Sequence, residues 1–148
     1  MKKLISLLAA FVFALTLLPT NSQAASLPQL EAVNIVSVGD DFGMHSTSKT
    51  TIPYLYGDVY VTVFERGYPS SYSENLTVNG SRIGGNNLKV VKQEPLTDFT
   101  GLIYGYRKTF EIPESYFSNP GYNSLHFQAK NDFGQTFTST HNFQIKIM

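Results

Sequence analysis

Between Asp58 and Glu65 the chain reads DVYVTVFE, with Val59, Val61 and Val63 in one row and Tyr60, Thr62 and Phe64 in the other. Successive strand residues face opposite sides, so this period of two predicts a β-strand. Apolar groups in both rows predict a central one. The same alternation predicts a first strand at LEAVNIVSV (Leu30–Val38), another in LKVVKQE (Leu88–Glu94) and a long one at LIYGYRKTFEI (Leu102–Ile112). In the last of these Tyr104, Tyr106, Phe110 and Ile112 share a face. Lys108 falls in the same row, where its stem would run toward water or a bulge would turn it outward. In LHFQAKNDFGQTFTSTHNFQIKI, Leu125, Phe127 and Ala129 are expected inside, followed after a turn by Phe137, Phe143, Ile145 and Ile147.

Turn chemistry separates these runs. Asn79-Gly80 lies between two short β-prone segments, and a type I′ hairpin turn needs positive φ at both central residues, which Asn and Gly tolerate best. Asn131, Asp132 and Gly134 form a second polar knot. It reads as a turn with Gly134 in the left-handed conformation, since one carboxylate is too few for a calcium site. Gly84–Asn87 marks a further turn, and Pro113 opens a single helical turn at PESYF. GDDFGMHSTSKT, after the first strand, is expected to be a long polar loop. No helical period competes with the strands, and turn signals recur about every 8–12 residues, as in all-β sandwiches and barrels.

The first 24 residues stand apart. Lys2 and Lys3 precede the apolar run Leu4–Leu18, and Ser22 and Ala24 supply small residues at the spacing a signal peptidase uses. This order is that of a secretory signal peptide, with cleavage expected after Ala24 and the protein secreted to the extracellular space. Residues 25–148 then form one domain. They hold nine basic and eleven acidic residues, a net charge of −2. A basic footprint for nucleic acid is missing, as is a basic amphipathic helix that would hold the protein on a membrane after cleavage. The chain has no cysteine, which removes thiol catalysis, disulfides and thiolate metal sites. Nine of its eleven Phe and all nine Tyr lie beyond residue 24 and are expected to supply the core instead.

LTVNGSRI, YRKTFEIP and NPGYNSLHFQAKNDFGQTF together resemble the immunoglobulin-like modules of bacterial secreted and surface proteins. Gly121, Asn123, Leu125, Phe127, Ala129, Asn131 and Gly134 occupy the pattern of the final hairpin in those modules. The resemblance covers the C-terminal half of the exported chain and implies a single antiparallel immunoglobulin-like β-sandwich of about seven strands. The segment GDDFGMHSTSKTTIPYLYG has no counterpart in it. The whole chain is also similar to small stand-alone secreted proteins of Gram-positive bacteria whose function is uncharacterised. Such folds carry many unrelated functions, so the resemblance implies no chemistry.

Candidate chemistry is sparse. His45, His126 and His141 show no metal-binding spacing, and neither metal nor cofactor is expected. His126 belongs to an outward row, and His141 to an inward one with Ser139. His45, Asp41 and Ser46 bring base, acid and hydroxyl into one segment, the composition of a small hydrolase site, although no Gly-x-Ser-x-Gly elbow accompanies them. Asn75 and Asn79 each begin an Asn-x-Ser/Thr triplet, read here as accidental. Tyr54, Tyr56, Tyr68 and Tyr72 sit beside Pro and Gly, where phenol rings stay accessible for stacking against a sugar or a protein. The sequence therefore points to a non-catalytic secreted binding protein with a protein or cell-surface glycan as partner. A hydrolase built on the His45 segment is the alternative.

Overall fold

The computed structural model describes residues 28–147, so the expected leader lies outside the described residues. The strands are β1 (Ala32–Asp40), β2 (Gly43–Ser46), β3 (Thr51–Pro53), β4 (Val59–Arg66), β5 (Asn75–Val78), β6 (Ser81–Gly84), β7 (Lys89–Thr97), β8 (Ile103–Ile112), β9 (Gly121–Lys130) and β10 (Thr136–Lys146). Single 3₁₀ turns lie at Gly85–Asn87 and, after Pro113, at Glu114–Tyr116. The strands make two five-stranded sheets, in the orders β2-β1-β4-β8-β7 and β3-β10-β9-β5-β6.

Ten strands replace the expected seven, and the additional ones are short. β2, β3 and β6 hold three or four residues each and lie at sheet edges, where neighbouring strands supply their hydrogen bonds. The pairing is also not wholly antiparallel, because β3 runs parallel to β10 with Ile52 opposite Ile145. The segment expected to be a polar loop after the first strand instead folds back as the β1–β2 hairpin, with Gly39 opposite Met44. A Cβ on Gly39 would lie 2.0 Å from the Gly43 carbonyl oxygen, so only glycine allows this approach.

The core forms where the two sheets' inner rows meet. β4 is central, between β1 and β8, and buries Val59, Val61 and Val63 completely. Phe110 of β8 reaches Phe127 of β9 with ring centroids 5.6 Å apart, which joins the sheets at their middle. Leu76, Val78, Leu125, Ala129, Phe143 and Ile145 complete the second sheet's inner face. Ile147, expected inside, is exposed beyond the end of β10. Tyr104 is 37% exposed, whereas Tyr106 is half-buried and Lys108, Phe110 and Ile112 of the same row are buried.

The two glycine turns form as read. Asn79 and Gly80 have φ of 49° and 85°, both positive as the hairpin requires. The Asn79 side chain also donates to Asn123 Oδ1 (2.9 Å) and accepts from the Ser124 amide (2.9 Å), tying the turn to β9. In the other turn Gly134 has φ 79°, and the buried Asn131 accepts the amides of Phe133 and Gln135 at 3.1 and 3.0 Å. Asp132 does not bond its own turn; it exchanges hydrogen bonds with Gln29.

Lys108 neither reaches water nor is turned outward. It is buried, with Nζ 2.8 Å from both Glu65 Oε2 and Glu74 Oε1. One ammonium cannot neutralise two carboxylates in so dry a place. The deeper of them, Glu65, is pushed up to about 8 by burial and then by the charge of Glu74, against the pull of Lys108.

Asn131→Ala should cost about 1–3 kcal/mol by leaving two turn amides unpaired, whereas exposed Asp132→Ala should stay within about 0.5 kcal/mol; chemical denaturation separates them. Glu65 titrates higher folded than unfolded, so its contribution is intact below its ordinary value of 4.5 and lost as pH rises to about 8. The melting temperature should therefore fall between pH 5 and 8. Glu65→Gln, neutral throughout, should flatten that slope.

Candidate functional site

The four sequence-selected tyrosines do not meet in one place. Tyr54 and Tyr56 precede β4, while Tyr68 and Tyr72 follow it, and an eight-residue strand separates its ends by about 26 Å. Tyr68 is half-buried and packs edge-on against Tyr106 with centroids 5.4 Å apart. Tyr72 is 81% exposed and holds a positive φ of 59°, a conformation that costs free energy at a residue with a Cβ. It borders a hollow with Ser71, Glu74, Gly85, Leu88 and Phe110.

Tyr54 and Tyr56 belong to a more organised site. Their ring centroids lie 5.0 Å apart with planes at 59°, and Phe42 from the β1–β2 turn meets Tyr56 at 5.8 Å and 79°. These rings, with Asp40, His45 and Pro53, surround a cleft of about 230 Å³. Asp40 fixes the arrangement. Its buried carboxylate accepts the amides of Phe42 (2.9 Å) and Gly43 (3.1 Å) through Oδ1 and that of Tyr56 (2.8 Å) through Oδ2. One side chain thus clamps the hairpin turn to the tyrosine segment. Leu55, fully buried between the two tyrosines, anchors the same segment, and its amide donates to Asn119 Oδ1 at 3.3 Å.

The hydrolase residues are not assembled. His45 and Ser46 are consecutive on β2 and project to opposite sides of the strand. The Ser46 hydroxyl engages Ser48 at 3.1 Å, and Asp41 interacts with the phenol of Tyr60, which its hydrogen bonding and charge push up. Among the described residues no hydrogen bond links His45 to either. His126 is on the outer row, with Nδ1 2.9 Å from Thr140 Oγ1. His141 stacks on Phe143 at 5.2 Å, and burial pushes it down.

Residues 24–145 match the family model described as Domain of unknown function (DUF4879). The chain belongs to this family. No curated protein shows significant similarity to it.

One feature of this DUF4879 chain escaped the sequence reading. Three hairpin turns carry an Asp-Phe pair followed by glycine: Asp41-Phe42-Gly43, Asp98-Phe99-Thr100-Gly101 and Asp132-Phe133-Gly134. The three phenylalanines are 83%, 100% and 80% exposed. Turns favour Gly, Asn, Asp, Ser and Pro, so an aromatic ring in each has no local cause. Its recurrence was the available signal. Phe99 and Phe133 lie at the Tyr68 end of β4, where Ser70 bonds Lys130 and Gly67 bonds Tyr104. Phe42 is at the opposite end, in the cleft.

Asp40→Ala should remove the clamp and cost about 2–3 kcal/mol, since three amides lose a charged acceptor. Hydrogen exchange should quicken at Phe42, Gly43 and Tyr56 while the core amides of β4 keep their protection relative to global stability.

Proposed function

We propose that this chain is an exported, non-catalytic binding protein that takes a cell-wall, polysaccharide or protein partner on its aromatic ends. The reading is carried by the cluster Phe42–Tyr54–Tyr56: two exposed rings packed with the half-buried Tyr54, on backbone that the buried Asp40 carboxylate clamps. Exposed aromatic groups of low side-chain entropy on a fixed backbone are what recognition surfaces use. The dispersal of His45, Asp41 and Ser46 favours binding over hydrolysis. The leader-like order of residues 1–24 supports export to the extracellular space, and the family match begins at residue 24.

An immunoglobulin-like sandwich is the architecture we assign to the domain. Setting aside the three short edge strands, the orders become β1-β4-β8-β7 and β10-β9-β5. These follow the ABED and GFC arrangement of that fold. The loops 67–74, 98–102 and 131–135 then emerge at one end, the end at which such sandwiches present variable loops.

Sedimentation with purified bacterial wall fractions and insoluble polysaccharides tests the function. Phe42→Ala with Tyr56→Ala should reduce retention at least about tenfold, as expected for loss of central aromatic anchors, while Tyr72→Ala should have a smaller effect. Retention unchanged in the double variant would remove the cleft from the binding surface, and turnover abolished by His45→Ala would overturn the non-catalytic reading.

A further inference from the structure

The cleft's lining specifies a ligand more closely than its exposure does. Its volume of about 230 Å³ is below the ~300–1,000 Å³ of sites that enclose a drug-sized molecule, so it suits a head group rather than a whole small molecule. Phe42, Tyr54 and Tyr56 form its aromatic walls, with Asp40, His45 and Pro53 also lining it; the Tyr54–Tyr56 planes stand at 59° and the Phe42–Tyr56 planes at 79°, making a corner and not a stack. A flat sugar ring needs a broad parallel face. A compact group that touches several ring faces at once suits a corner better.

Charge points the same way. Asp40 lines the cleft and has no cationic partner among the described residues; its oxygens meet only backbone amides. Asp41 and Asp58 lie close to the lining residues in the chain, and Asp41 raises the phenol of Tyr60, opposite Gly39 in the β1–β4 ladder, by hydrogen bonding first. Glu111, which acts on the same phenol, is paired with Lys89. An anion entering the cleft would meet this field unfavourably. A cation is drawn both by the carboxylates and by the electron-rich ring faces. A primary ammonium would lose hydrogen bonds to water that the rings cannot replace, whereas a methylated one presents apolar methyl groups to them and spreads its charge.

We propose that Phe42, Tyr54 and Tyr56 form an aromatic cage beside Asp40 that holds a quaternary ammonium group. The proposal rests on the binding function above and names the chemistry that this end of the molecule recognises. The group could be carried by a soluble molecule, a lipid or polymer head group, or a methylated lysine.

The test is a titration of the purified protein with choline, followed by NMR of aromatic and backbone resonances. Saturable shifts are expected at Phe42, Tyr54 and Tyr56. 3,3-Dimethylbutanol, the uncharged analogue of the same shape, should bind at least about tenfold more weakly, because apolar contact remains and the cation–π attraction does not. Phe42 is exposed, so its variants keep the fold. Phe42→Leu should weaken choline binding about tenfold, and Phe42→Tyr should preserve it.

Phosphocholine, phosphatidylcholine vesicles and a trimethyl-lysine peptide distinguish the carrier by which of them competes with choline. Absence of saturable shifts, equal binding of the uncharged analogue, or an unchanged affinity in Phe42→Leu would overturn the cage. Wall retention that depends on Phe42 and Tyr56 without any choline response would overturn it too, while leaving the binding function standing.

Discussion

Phe110 against Phe127 is the contact on which the rest of the molecule depends. The chain has no cysteine, so no covalent bridge holds the sheets together. What holds them is the burial of two apolar inner faces, and these two rings occupy the point at which β8 of one sheet meets β9 of the other. A buried phenylalanine removes a large apolar area from water, about 3–5 kcal/mol by the effect of truncating one to alanine. Valines of β4 and aliphatic residues of β9 and β10 extend that contact in both directions along the strands.

At the strand ends the apolar rows run out, and buried polar groups take over. Asp40 clamps two backbone segments at one end. Asn123 accepts the Ser118 amide and donates to its carbonyl, holding the entry to β9, and receives Asn79 from the neighbouring hairpin. Glu65, Lys108 and Glu74 perform the corresponding task beneath the 67–74 loop. Each cluster is built on a buried polar group that would be costly without partners, so each specifies one arrangement of the loops around it. These bonds fix the backbone that carries the exposed rings, which, under the binding function proposed above, lowers the entropy lost on association.

The seven long or strongly patterned strands were legible because each one carries its own signal. DVYVTVFE alternates strictly, and its central place followed from apolar residues in both rows. Asn79-Gly80 announced its turn because positive φ at two successive positions is tolerated by few residues. β6 was legible only as the far arm of that turn, and β2 and β3 carried no such signal: in three or four residues alternation cannot be distinguished from chance, and their ladders form on the open edges of β1 and β10. Lys108 was misread for a related reason. Its row predicted the inside of the sheet correctly, but nothing near it in the chain announces Glu74, which is 34 residues away.

The candidate site divides along the same line. Local sequence marked the turns at Asn79-Gly80 and Asn131–Gly134 and set Tyr54 and Tyr56 beside Pro53 and Gly57, since turn chemistry and alternation are properties of neighbours. Tertiary structure alone decided that Phe42 would reach Tyr56 and that Asp40 would join their backbones. It also decided that His45 and Ser46 would point apart, because the segment became a strand only by pairing with β1. Contacts between distant parts of the chain depend on sheet order and register, and these are set by the joint burial of all inner rows at once.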